Sequence, residues 1–180
     1  MEERLSESVF LGGTNVSKPT IGLSLCAGLL VIMTNGLGAE ILPRNIVVQQ
    51  SNSPIRIVSY KAAYKAETGL RHVIQYQNRS GQKIVAIRFG MLSFDLFHKF
   101  LGKTTGTNVQ DMNAGKSEDG FWLTDSGHAA AFHVGIAWVD AIRMEDGTIW
   151  NANEADILTE ARKEDKEFDP VLLKLPPVLK

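Results

Sequence analysis

Residues 129–150, AAAFHVGIAWVDAIRMEDGTIW, decide how the rest of the chain is read. From Phe132 the side chains alternate with the two-residue period of a strand. Phe132, Val134, Ile136 and Trp138 fall on one face, and His133, Gly135, Ala137, Val139 and Ala141 on the other. Both faces are apolar or small, which suits an inner strand covered on its two sides. The run stops at Glu145-Asp146-Gly147. Asp-Gly at the end of an apolar run is a hairpin signal, because glycine takes positive φ without strain. Thr148 to Trp150 then returns as a short strand.

Upstream, turn residues break the chain at short intervals. Ile46–Gln50 and Ile55–Tyr60 are β-branched runs separated by Ser51-Asn52-Ser53-Pro54. Lys61–Gly69 reads as an irregular or single-turn connection, since its alanines favour helix but the segment is short for one. In Arg71–Gln77, His72, Ile74 and Tyr76 oppose Val73, Gln75 and Gln77; after Asn78–Gly81 the strand Lys83–Phe89 completes a second hairpin. MLSFDLFHKF, after Gly90, continues as strand through a bulge at the glycine, although Phe94, Phe97 and Phe100 also suit a helical turn. Leu101–Asp119, rich in Gly, Thr, Asn and Lys, is expected to be the longest loop, and Gly120–Leu123 a short strand. Asp125-Ser126-Gly127 turns the chain into the central hairpin.

Beyond Trp150, Asn153 is a helix N-cap, followed by the apolar stripe Ala155, Ile157, Leu158 and Ala161. Arg162–Glu167 is all charge and Pro170 stops the helix. The expected fold is mainly β: an antiparallel sandwich over residues 40–168 with one short C-terminal helix, then an extended tail over 169–180.

At 180 residues the chain holds one domain with a substantial core, and its net charge of −1 provides no field for nucleic acid. Cys26 is the sole cysteine, so the folded part has neither disulfide nor thiol nucleophile. Pro19–Ala39 carries no charged side chain; Lys18 precedes it and Gly36, Gly38 and Ala39 end it. Residues 1–39 therefore read as a signal peptide cut after Gly38 or Ala39, which makes the protein exported, periplasmic or secreted. The alternative is a retained anchor, which adds the membrane as a partner. A third reading is a buried helix or a misassigned start, because Glu2, Glu3 and Glu7 outnumber Arg4 in the leader. Leu23-Ser24-Leu25-Cys26 departs from a lipoprotein box at Leu25, where a small residue is needed.

No catalytic or cofactor motif stands out. The loop Asp111, Asn113, Ser117 and Asp119 begins like a calcium loop, but Lys116 replaces the required glycine and Trp122 the final acid. It is taken as a candidate binding loop. Gly102-Lys103-Thr104 ends like a phosphate loop whose first glycine is replaced by Phe97. His128 and His133 are an odd number of residues apart, so a regular strand sends them to opposite faces. Ser126 with His128 and Asp125 is too local for a triad, and Asp95, Asp119, Asp125 and Asp140 offer acids without a geometry. Asp140, inside an apolar strand, needs a partner, which Arg143 or Arg88 can supply. Trp122, Trp138 and Trp150 with Tyr60, Tyr64 and Tyr76 are core or an aromatic binding surface.

FGMLSFDLF (Phe89–Phe97) and VDAIRMEDGTIW (Val139–Trp150) resemble segments of small exported bacterial Ig-like β-sandwich domains of unknown function. The resemblance spans Ile55–Trp150 and implies a fold and a compartment; it carries no catalytic residue across. The expectation is a non-catalytic module that binds a protein or cell-envelope partner, without a cofactor, through the Leu101–Asp119 loop or an open sheet edge. The runner-up is a small hydrolase built on carboxylates with His128 or His133.

Overall fold

A computed structural model describes residues 42–124 and 129–174. The leader with its cleavage residues Gly38 and Ala39, the turn at 125–127 with His128, and residues 175–180 lie outside the described residues. Eight strands are described: β1 (Arg44–Val48), β2 (Ile55–Lys65), β3 (Gly69–Asn78), β4 (Ile84–Asp95), β5 (Phe100–Asn108), β6 (Ser117–Thr124), β7 (Phe132–Met144) and β8 (Ile149–Asn151). One α-helix, α1 (Glu154–Glu164), follows them, and Ala129–Ala131 and Pro170–Leu173 form 3-10 turns.

The strands make two sheets, β1-β7-β4-β5 with β8 also on β7, and β2-β3-β6. The chain is thus mainly β, as expected. The larger sheet is mixed rather than wholly antiparallel, because β1 lies parallel to β7 with Arg44 opposite Val134. No short turn links these distant strands, so nothing forces them antiparallel.

β7 is central, with β4 on one side and β1 and β8 on the other. One face of the larger sheet packs on the smaller sheet around Tyr60, Ile74, Tyr76, Ile87, Phe89 and Met91. On its other face Leu92, Phe94, Val134, Ile136 and Trp138 meet Ile157, Ala161, Phe168 and Leu173 from the C-terminal segment. This double cover is why β7 shows no polar face. Phe132 departs from its expected company: it joins the core between the sheets, away from Val134. The register slips there, with Phe94 opposite Val134 but Asp95 opposite Phe132, and the extra residue reverses the alternation. A second slip pairs Arg88 with Ala141 and Phe89 with Val139, passing over Asp140.

The β7–β8 hairpin forms as read. Gly147 has φ +87°, its N–H donates to Met144 O at 3.1 Å, and Thr148 N–H donates to Asp146 Oδ1 at 2.9 Å. Asn153 caps α1, its side chain accepting from Ala155 N–H at 3.1 Å.

Other expectations need correction. Lys61–Gly69 is largely strand: β2 runs to Lys65, paired with Gly69. Ala62 is buried and its N–H donates to Asn45 Oδ1 at 2.8 Å, so pairing outweighs alanine's helix preference. Leu101–Asp119 is not one loop. β5 and the start of β6 occupy most of it, leaving only 109–116 as connection. At Gly106 an added Cβ would sit 2.3 Å from the Trp122 indole, so this glycine admits a ring instead of loosening a loop. After Gly90 the strand ends at Asp95, and β5 begins at Phe100 after a tight turn. The C-terminal tail, expected to be extended, opens with the Pro170–Leu173 turn, where Asp169 Oδ1 accepts from Val171 N–H at 2.9 Å.

β3 and β4 are not a hairpin, since they belong to different sheets. Asn78 makes the crossing. Its Nδ2 donates to Gln82 O at 2.9 Å and Met112 O at 3.0 Å, while Oδ1 accepts from Ser80 N–H at 2.9 Å and Ser80 Oγ at 2.7 Å. The side chain is fully buried and its hydrogen-bonding capacity is used. Asn78→Ala is therefore expected to cost about 2 kcal/mol by removing four side-chain hydrogen bonds at a fully buried position. Urea titration checks this, and an unchanged midpoint would refute it.

Candidate functional site

One end of the sandwich is formed where β4 finishes and β1 and β7 begin. Asp95 organises it. Its Oδ1 accepts from Phe97 N–H and Lys99 N–H, both at 2.8 Å, while His98 N–H donates to Asp95 O at 3.1 Å. His98 takes φ +64°, the left-handed conformation that lets so short a turn close. The clamp faces the Leu96 and Phe97 side chains outward, with Phe97 85% and Leu96 44% exposed. Beside them lies a shallow hollow of about 380 Å³ lined by Asp95, Leu96, Phe97, Ala131, Phe132 and His133.

Glu164, at the end of α1, supports the same region. Its carboxylate is buried, pairs with the Arg44 guanidinium and lies 3.3 Å from His98 Nδ1. A buried carboxylate needs such partners, and these two fix the start of β1 and the β4–β5 turn against the helix.

On the smaller sheet the solvent face is also partly apolar. Val73 stands opposite Phe121 and Arg71 opposite Leu123, and the Arg71 guanidinium lies 5.3 Å over the Phe121 ring. Phe121 and Leu123 are exposed. They lie in the half of β6 that runs toward the end carrying Phe97, because β6 and β4 each finish there.

The candidate binding loop is dispersed. Asp111 and Asn113 remain on the 109–116 connection at the opposite end, with Asp111 3.2 Å from Lys83 Nζ. Ser117 and Asp119 are instead strand residues of β6, opposite Gln77 and Gln75. Asp140 finds Arg88, one of its two candidate partners, and also accepts from Trp138 Nε1 at 3.2 Å. Among the described residues, no group of three or more His, Cys, Asp or Glu gathers to hold a metal. His133 reaches the hollow beside Asp95, whose Oδ1 is committed to its own turn. Trp138 is core.

Two features were missed in the sequence. The Arg44–Glu164–His98 contact joins residues too far apart for any spacing rule. The exposed Phe97 has the composition of a core residue; the signal was Asp95, whose carboxylate is suited to capping a tight turn.

No protein-family model and no curated protein matches the sequence. The fold does have counterparts among solved structures. A hypothetical protein from Peptoclostridium difficile 630 is similar at a TM-score of 0.51 and 13% identity, over 69% of this chain and 99% of that one. A DUF1425 family member from Shewanella sp. pv-4 matches at TM-score 0.36 and 10% identity, over 47% of this chain and 75% of its own. A Campylobacter jejuni protein matches at 0.34 and 15%, over 53% and 97%. The first of these shows the fold and nothing finer.

Proposed function

We propose that this chain is an exported, non-catalytic binding module of the bacterial cell envelope, and that it binds through the end carrying the β4–β5 turn. The observation that carries the reading is Phe97, 85% exposed on a turn that Asp95 holds rigid. Presenting a large apolar side chain to water on a clamped turn gains the fold nothing, whereas a partner that covers it gains its burial at little cost in ordering. Leu42 and Leu96 are exposed at the same end, and Phe121 and Leu123 are exposed on the smaller sheet, in the half of β6 that runs toward it. The immunoglobulin likeness extends to two packed sheets; strands 1, 4, 5, 7 and 8 against 2, 3 and 6 is a different division from ABED against CFG. The hydrolase reading, built on carboxylates with His128 or His133, has less support: His128 lies outside the described residues, and the acid beside His133 in the hollow is Asp95, whose Oδ1 already accepts from Phe97 and Lys99 N–H.

A photo-crosslinking residue placed at Phe97, and separately at Val109 and Ile149 on the opposite end, tests this in intact cells. Adducts to envelope components are expected from position 97 and not from 109 or 149. Equal labelling at both ends, or none at 97, would refute the reading.

A further inference from the structure

We infer that the surface covered by this end is an anionic lipid bilayer; the inference rests on the binding reading above and names its partner. Three independent features meet here. The first is where the chain enters. Arg44 is opposite Val134 at the start of β7, so Leu42 stands level with Phe132, which itself faces Asp95 on the other side. Strands lie about 4.8 Å apart, so the entry of β1 and the turn after β4, one strand to either side of β7, are about 10 Å from each other. Leu42 follows closely on the uncharged run Pro19–Ala39, so a bilayer holding that run has this end of the sandwich tethered to it by covalent reach alone.

The second feature is the apolar surface. Leu42, Leu96 and Phe97 are exposed together, and the clamped turn needs no reordering to insert its tip at the boundary of headgroups and acyl chains.

The third is charge. Lys99 is exposed on the same turn as Leu96 and Phe97, and Arg44 is exposed at the entry of β1, where it pairs with Glu164. Two acids of this end are occupied: Glu164 is buried against Arg44 and His98, and Asp95 holds its own turn. Glu67, on the β2–β3 turn, is exposed, and Asp165 is half-buried. A lysine beside an apolar tip matches anionic headgroups over acyl chains. A tip of this kind binds lipid only marginally by itself; combined with an apolar run it orients the domain.

The test uses the full chain with Cys26→Ala and a single environment-sensitive fluorophore at F97C or V109C. Vesicles contain equal phosphatidylglycerol and phosphatidylcholine, or phosphatidylcholine alone. With anionic vesicles the label at 97 is expected to brighten roughly threefold, shift to the blue and be quenched by spin-labelled lipid, while the label at 109 stays unchanged. K99Q and half-molar salt should each reduce the response at 97. The inference falls if the chain floats with vesicles while the label at 97 behaves like that at 109, or if the chain does not float. Crosslinks from Phe97 confined to an envelope protein would also overturn it, and would leave the binding reading standing.

Discussion

Gly90→Ala is expected to lower the unfolding free energy by about 3 kcal/mol, the upper part of the range for forcing atoms into a packed core. Gly90 pairs with Trp138 across β4 and β7, and a Cβ on residue 90 would lie 2.1 Å from the indole. The ring has nowhere to go. Trp138 is 1% exposed, and its Nε1–H donates to Asp140, which the Arg88 guanidinium holds in turn. The Asp140–Arg88 pair thus keeps an indole flat over a bare stretch of the neighbouring strand, and glycine is the residue that leaves room. A double-mutant cycle checks this. Trp138→Leu will be costly alone, but in its presence the penalty of Gly90→Ala should fall below about 1 kcal/mol, because the two residues are coupled by contact. If urea titrations show the alanine equally damaging in both backgrounds, backbone entropy and not the indole would be the cause.

The same contact shows what could be read from the chain and what could not. The β7 alternation was legible because, from Val134 to Val139, neither face contains a polar residue, and only a strand covered on both sides tolerates that. The β7–β8 hairpin and the Asn153 cap were legible because each depends on residues within a few positions of one another. Gly90 and Gly106 were misread as bulge and loop. A glycine carries the same local signal whether it loosens the chain or makes room for a ring, and here Trp138 and Trp122 approach from other strands. β5, rich in Gly and Thr, is strand because β4 supplies its partner, with Met91 opposite Thr104 and Phe89 opposite Gly106.

The division of strands between sheets was hidden for a related reason. Asn78 looked like a hairpin residue, whereas its bonds to Gln82 and Met112 carry the chain from one sheet to the other. The candidate site fared similarly. Phe94 and Phe97 are indistinguishable in composition, yet the first is 0% and the second 85% exposed because the Asp95 clamp turns the chain between them.

His72 should make the protein lose stability on mild acidification, by up to about 3 kcal/mol as pH falls from 6.5 to 4. The ring is completely buried, stacked parallel to Tyr60 with centroids 6.0 Å apart, and its Nδ1 is 2.9 Å from the Tyr60 hydroxyl. Nε2 has no hydrogen-bond partner among the described residues, so nothing there compensates a positive charge. Burial lowers the imidazole pKa to about 4 from its ordinary 6.5. The sign follows from proton uptake. Between those values the unfolded chain binds a proton that the native chain refuses, so acid favours unfolding; the contribution is complete above pH 6.5 and is lost as pH falls toward 4. Asp146 acts lower. Its carboxylate accepts from Thr148 N–H and is held below its ordinary 3.8, so the stability it contributes disappears only under more acidic conditions. His72→Phe leaves the Tyr60 hydroxyl without its partner and should be less stable than the parent at pH 7, yet it should change little between pH 7 and 4.5. Urea midpoints across that range decide the matter: parallel losses in parent and variant would mean that the acid response arises elsewhere, and that a buried neutral imidazole does not govern it.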